Sequence, residues 1–203
     1  QPPVWAMTAQ GPNPNLVSVL IQMLNARYPG SFQAVELFPG ANTTAGWGNT
    51  PDPMAYWTVF SIVKTKLQDN GIGVELIAGG LEIIEDQSAG TIYELDFRRG
   101  LYQAGAIYNL PVISLRYSNI TGQPSDASMD AETRVLRRYE NVRQVMMEFN
   151  QENSLLWITR LSVPDGTINP AEASTKDPVQ QSSWLTQAAA QLRAQLYIGM
   201  VVF

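Results

Sequence analysis

Apolar residues recur at helical spacing in two segments of the chain. In the first, Asn13-Pro14 has the form of an N-cap followed by proline, and the apolar face that follows ends at Pro29-Gly30. In the second, apolar residues are spaced four, three, four and three apart, at Val135, Tyr139, Val142, Met146 and Phe149. We expect an amphipathic helix over 129–150, capped by Ser128 and with acidic residues in its first turn, Asp130 and Glu132.

Alternating or β-favouring runs predict strands over much of the remaining chain, at 32–38, 72–78, 81–85, 91–98, 106–117, 155–163 and 197–203. Segment 55–67 is ambiguous. Asp52-Pro53 before it could cap a helix, whereas its Tyr-Trp-Thr-Val-Phe-Ser-Ile-Val run favours a strand, which we expect. The Asp69-Asn70-Gly71 that follows is typical of a hairpin turn.

The resulting fold prediction is α+β, with a mostly antiparallel sheet and two to four packed helices. We expect one domain over 1–203 with long loops, since no break in composition divides the chain. Residues 1–12 form an extended N-terminal segment in this interpretation, and 164–183 form a polar loop or arm before a helix that begins near residue 180.

Composition narrows the chemistry, because the 203 residues include no histidine and no cysteine. Most zinc, haem, iron–sulfur and catalytic-triad sites are thereby excluded, and we expect no cofactor and no metal. The net charge is −5 and lysine occurs three times, which disfavours general nucleic-acid binding. No apolar run approaches the ~20 residues of a membrane-spanning helix, so we expect no membrane insertion.

One group of carboxylates could carry chemistry. Five acidic residues fall on either side of a predicted hairpin, at Glu82, Glu85, Asp86, Glu94 and Asp96. Paired carboxylates can hydrolyse glycosides or hold a hard cation. The alternation of Glu94, Asp96 and Arg98 also fits one solvated face of a strand, and this is the interpretation that we favour.

Three further features suggest contacts with other molecules. Arginines lie on the polar side of the predicted 129–150 helix, two tryptophans lie in polar loops, and the chain closes on an apolar strand that could pair with a neighbour. The interface candidates are Trp47, Arg134, Arg137, Arg138, Trp184, Leu196, Tyr197 and Ile198.

The order of elements resembles that of the tail-terminator and neck proteins of tailed bacteriophages. An N-terminal helix is followed by a proline-rich loop before Tyr56-Trp57-Thr58-Val59, a β-meander, a helix and a final strand at 192–198. The resemblance implies a non-enzymatic structural subunit that forms a homo-oligomeric ring with itself and joins other assembly proteins. It also implies a location in the virion, or in the host cytoplasm during assembly.

Two alternatives remain open. Gln1 as a mature N-terminus and the low lysine content fit an exported, periplasmic binding or secretion-accessory protein. The third hypothesis is a carboxylate-dependent enzyme acting on polysaccharide, with the acidic residues of 82–96 as its catalytic groups and Trp47 as a platform for sugar rings.

Overall fold

The computed structural model describes residues 3–84, 88–108, 110–118, 120–128, 134–162 and 178–203. Its strands are β1 (Met7–Thr8), β2 (Gly11–Pro12), β3 (Ala34–Leu37), β4 (Glu75–Ala78), β5 (Val112–Tyr117), β6 (Leu155–Leu161) and β7 (Ile198–Val201). Its α-helices are α1 (Pro14–Arg27), α2 (Thr44–Trp47), α3 (Pro53–Asp69), α4 (Glu94–Gln103), α5 (Arg138–Glu148) and α6 (Pro178–Arg193). Short 3₁₀ turns occur at Val4–Ala6 and Ala106–Tyr108.

The main sheet is parallel throughout its described strands, which corrects the prediction of a mostly antiparallel sheet. Five strands lie in the order β3-β4-β5-β6-β7, so that each strand pairs with the next one along the chain. Successive parallel strands need a crossover, and α3, α4, α5 and α6 each lie between two of them in sequence. In the described residues, antiparallel pairing occurs in the small hairpin of β1 with β2 and in an isolated bridge between Thr43 and Thr91. The fold class is therefore α/β.

Segment 55–67 is helical, contrary to the strand that we expected. Asp52 caps α3 through its Oδ1, which accepts from the backbone nitrogens of Met54 (2.8 Å) and Ala55 (3.2 Å). The buried residues of α3 recur at helical spacing, at Tyr56, Val59, Phe60, Val63 and Leu67. Burial of this face outweighs the β preference of the aromatic and branched residues.

The structure corrects several other predicted elements. Residues 91–98 do not form a strand, since α4 begins at Glu94, and 81–84 form a loop. The predicted strand at 106–117 is confined to β5. The predicted helix over 129–150 begins only at Arg138, with Arg137 as its N-cap, and 129–133 lie outside the described residues. The α1 helix is confirmed, with Asn13 Oδ1 accepting from Asn15 N at 3.0 Å.

The predicted arm at 164–183 lies mostly outside the described residues, and its last part belongs to α6. The N-terminal segment, expected to be extended, folds into a 3₁₀ turn and the β1–β2 hairpin.

The helices pack on one face of the sheet. Alternate strand residues, among them Leu37, Leu76 and Ile113, belong to the same buried cluster as the apolar faces of α3, α4 and α5. The side chains between them point to the opposite face, because successive residues of a strand alternate. We call this second surface the Glu36 face, after the residues Glu36, Ile77, Ser114 and Thr159.

Candidate active site

Parallel strands all end at the same edge of a sheet, and the loops that follow them meet there. In this protein the segment after β3 leads through α2 to α3, and the segment after β4 leads to α4. We call this the carboxyl edge. Side chains from distant parts of the chain converge on it.

A buried asparagine fixes the first two loops to each other. Asn42 is fully buried, and its Nδ2 donates to the carbonyl oxygens of Glu82 (2.8 Å) and Ile92 (2.9 Å). Its Oδ1 accepts from Glu82 N at 2.9 Å. The side chain of Glu82 lies over Gly40, where an added Cβ would be 3.4 Å from Glu82 Cγ. The half-buried Glu82 carboxyl makes no hydrogen bond with a described residue.

Glu36 is held by groups from the three strands and loops beside it. Its Oε1 accepts from Gly80 N at 2.7 Å and lies 2.6 Å from Ser114 Oγ and 3.0 Å from Thr159 Oγ1. The Ser114 hydroxyl is also 2.6 Å from the carbonyl oxygen of Ala78, so its one proton serves either acceptor. The other oxygen of Glu36, Oε2, has no hydrogen-bond partner among the residues that the structure describes.

The stem of Arg116 lies beside this carboxylate, and Arg160 follows on the neighbouring strand. Gly80 makes room for the first, since a Cβ at Gly80 would be 2.3 Å from Arg116 Cγ and 3.0 Å from Glu36 Oε1. Arg116 of β5 is the cross-strand partner of Arg160 of β6. The register shifts between Leu115 and Arg116, and the extra residue on β6 is Thr159. Such bulges redirect side chains, and they are common near active sites.

A buried ion cluster lies behind the edge, between α4, α5 and β5. Arg138 Nε donates to Glu94 Oε1 at 2.9 Å, with both side chains at most 2% exposed, and Arg98 donates to the carbonyl oxygen of Ser114 at 2.9 Å. Burial raises the pKa of Glu94, while the guanidiniums of Arg138 and Arg98 oppose the rise. Burial lowers the pKa of Arg98. Within the described chain, Glu94 Oε2 and Arg98 Nε lack hydrogen-bond partners.

The five predicted carboxylates do not share one strand face. Glu82 lies at the carboxyl edge, Glu94 is buried at the start of α4, and Asp96 is exposed and pairs with Arg99 at 3.1 Å. Glu85 and Asp86 lie outside the described residues. The expected strand face of Glu94, Asp96 and Arg98 is wrong, because all three belong to α4.

Both predicted loop tryptophans are buried. Trp47 is 0% exposed, and its ring centroid lies 5.5 Å from that of Phe38 and 5.7 Å from that of Tyr56. Sugar rings cannot stack on it there, so the platform that we expected at Trp47 is excluded. Trp184 is 2% exposed and donates from Nε1 to the carbonyl oxygen of Gly122 at 2.9 Å.

The other interface candidates differ in exposure. Arg138 is buried, Arg137 pairs with Glu140 at 2.8 Å, and Arg134 is half-buried. Leu196 is 96% exposed just before β7, where Tyr197 and Ile198 are half-buried. A role of these side chains in assembly stays a prediction.

Sequence reasoning missed Glu36, Ser114 and Thr159. The one available signal was a single acidic residue within a short strand, between Val35 and Leu37. In the part of the chain described, no group of three or more acidic side chains is placed to hold a metal ion, and none of its helices combines the length and hydropathy needed to span a bilayer.

No family model matches this sequence, and no curated protein matches it either. A solved structure does match, that of a GH128 (subgroup II) endo-β-1,3-glucanase from Sorangium cellulosum. The TM-score is 0.57 and the identity is 14%. The match covers 93% of this chain and 65% of the glucanase chain, so the protein spans less than two thirds of the length of its neighbour.

This neighbour overturns the resemblance to phage tail-terminator and neck proteins. The prediction of a non-enzymatic ring subunit with a role in virion assembly is wrong for the same reason. The fold matches that of a glycoside hydrolase, and a parallel sheet is present where we expected a β-meander. The expectations about partners and location stay predictions. At 14% identity the likeness shows the fold alone: the chain has the consecutive parallel βα architecture found in that glucanase.

Proposed function

We propose that this protein is a polysaccharide-active enzyme of the glycoside hydrolase type, whose substrate lies along the carboxyl edge of the sheet. Enzymes with consecutive parallel βα units bind their substrates at this edge. The structural neighbour is named an endo-β-1,3-glucanase, which favours a polysaccharide over a small metabolite as the substrate.

The observation that carries the proposal is the position of Glu36. Donors from three successive units of the fold contact one oxygen of this carboxyl group, Oε1. Each contact restricts the side chain, which therefore points along a fixed direction near the ends of the strands. Oε2 is then the atom of Glu36 that faces substrate or water.

Glycoside hydrolysis requires two carboxyl groups that flank the scissile bond. One protonates the glycosidic oxygen as its bond to the anomeric carbon breaks, and the other activates water or attacks that carbon. Two described carboxyl groups of the carboxyl edge lie on adjoining segments: Gly80 N donates to Glu36 Oε1, Gly40 N donates to the carbonyl oxygen of Gly80, and the side chain of Glu82 lies over Gly40. We assign Glu36, whose carboxyl group is held in place, as the residue that attacks the anomeric carbon or activates water there. Glu82, whose carboxyl group has no described hydrogen-bond partner, is assigned as the acid that protonates the leaving oxygen.

The test is a reducing-sugar assay on a panel of neutral and acidic polysaccharides, with Glu36→Gln and Glu82→Gln beside the wild type. Loss of acid–base catalysis costs about 10²–10⁴-fold in rate, and we expect losses of this size for both variants. Asp96→Asn is the matched control, because Asp96 is an exposed carboxylate on α4 whose side chain is 60% accessible. It should retain full activity.

Circular dichroism of each variant separates a lost reaction from a lost fold. The proposal is overturned if the folded wild type releases no reducing ends from any polysaccharide. It is equally overturned if folded Glu36→Gln cleaves at the wild-type rate.

A further inference from the structure

Two arginines lie opposite each other on neighbouring strands near the carboxyl edge. Arg116 and Arg160 are direct cross-strand partners on the parallel strands β5 and β6, whose backbones lie about 4.8 Å apart. Ile158 and Leu161 both belong to the buried core, so the two residues between them, Thr159 and Arg160, turn toward the Glu36 face. Arg160 is exposed and Arg116 is half-buried, so the pair is open to a ligand from solvent.

Glu36 lies near the stem of Arg116, but neither Arg116 nor Arg160 forms a salt bridge with it or with another described carboxylate. Neither arginine forms a salt bridge or a side-chain hydrogen bond with a described residue, whereas Arg99, Arg137 and Arg138 each pair with a glutamate. Like charges placed directly opposite each other destabilise a sheet. The arrangement therefore costs stability in a free protein, and a bound anion would relieve that cost.

The charge of the rest of the protein also bears on which ligand the two arginines would bind. The whole chain carries a net charge of −5, so an anionic ligand is repelled by most of the molecule. Two neighbouring arginines on such a surface favour binding of a negatively charged group at their own position. The planar fork of arginine matches a carboxylate or a sulfate group through two parallel hydrogen bonds.

We propose that Arg116 and Arg160 form a subsite for an anionic sugar unit, so that the polysaccharide bound at the carboxyl edge is acidic. The inference rests on the proposed function for the identity of the ligand as a sugar. A carboxylate of a uronic acid and a sulfate ester share the chemistry that the pair recognises.

The experiment is isothermal titration calorimetry with three tetrasaccharides of matched length. They are a galacturonic acid tetramer, a sulfated glucose tetramer and a neutral glucose tetramer. Titrations are made in the Glu82→Gln background, so that hydrolysis does not consume the ligand. We expect one of the charged tetramers to bind at least about tenfold more tightly than the neutral one, as charge-assisted hydrogen bonds imply. The tighter of the two charged ligands identifies carboxylate or sulfate as the source.

Arg116→Gln and Arg160→Gln should each reduce this preference severalfold, and the double variant should abolish it. Arg193→Gln is the matched control, because Arg193 ends α6 just before β7 and so lies at the opposite edge of the sheet. It should keep the preference. Raising the salt concentration from 50 to 300 mM should weaken only the charged ligand.

Equal affinity for charged and neutral tetramers overturns the subsite, and so does a preference that survives in the double variant. Failure of the two proposals is distinguishable. Hydrolysis of neutral polysaccharide without charge preference supports the enzyme and overturns the acidic subsite. Charge-selective binding without hydrolysis of any polysaccharide supports the subsite and overturns the enzyme.

Discussion

Replacing Arg138 by methionine tests the buried ion cluster behind the carboxyl edge. The Arg138–Glu94 pair joins the first turns of α5 and α4 at 2.9 Å, with side-chain exposures of 1% and 2%. Methionine keeps the length and apolar volume of the arginine stem, so the change removes mainly the charge and its hydrogen bonds. Breaking a buried pair on one side costs about 3–5 kcal/mol, because the remaining charge stays buried without its partner.

The loss of stability in Arg138→Met should depend on pH, and the pKa of Glu94 determines whether it grows or shrinks on acidification. Burial raises the pKa of Glu94 above its ordinary 4.5, and Arg138 opposes that rise, so its removal raises the pKa further. A carboxyl group whose pKa is raised by folding favours the folded state below its unfolded pKa, and this contribution is lost as the pH rises through the folded value. The destabilisation caused by Arg138→Met should therefore be largest near neutral pH and smaller on acidification.

The assay is urea denaturation followed by circular dichroism at pH 7.5 and pH 5.5, from which the free energy of unfolding is obtained. Arg137→Met is the matched control, since the neighbouring Arg137–Glu140 pair is 32% and 41% exposed and should contribute less than about 1 kcal/mol. The reasoning is refuted if the two variants lose equal stability at pH 7.5. A loss for Arg138→Met that grows on acidification would refute it as well.

Two further changes test other parts of the core. Tyr102→Phe should raise the free energy of unfolding by about 1 kcal/mol, because the buried hydroxyl has no described hydrogen-bond partner, while the ring packs against Phe149 at a tilt, with 5.0 Å between the ring centroids. Burial raises the pKa of Tyr102 to about 12, so the wild type loses stability through ionisation of this tyrosine as the pH rises from 10 through 12. The melting temperature should therefore fall less between pH 9 and pH 11 in the variant than in the wild type. Trp47→Ala should cost about 3–5 kcal/mol in urea denaturation, and an unchanged midpoint would contradict the buried position of the ring.

The helices show how much of the fold the sequence could predict. For α1, cap and periodicity agree, and the prediction is confirmed. For α3 the Asp52 cap and the spacing of the buried residues were both visible, but the β-favouring composition pointed the other way. For α4 a charged residue, Arg98, lies on the buried face, and this hides the helical period behind an apparent alternation of two.

The parallel sheet was harder to predict because β3 and β4 are only four residues long. In β4, Leu76, Ile77 and Ala78 are all buried, so no alternation of apolar and polar residues marks its faces. The candidate active site could not be predicted from the sequence for a different reason. The contacts of Glu36 with Ser114 and Thr159 span 78 and 123 residues of sequence, and no local pattern carries such a pairing.

The agreement between the order of the strands in the sheet and their order in the chain has a consequence for synthesis. Each strand that leaves the ribosome finds its neighbour already made, so the sheet can grow from one side without waiting for a distant segment. The groups that contact the Glu36 carboxylate are translated in the order Gly80, Ser114 and Thr159. Oε1 of Glu36 can therefore receive all three contacts only after the residues up to Thr159 have been synthesised.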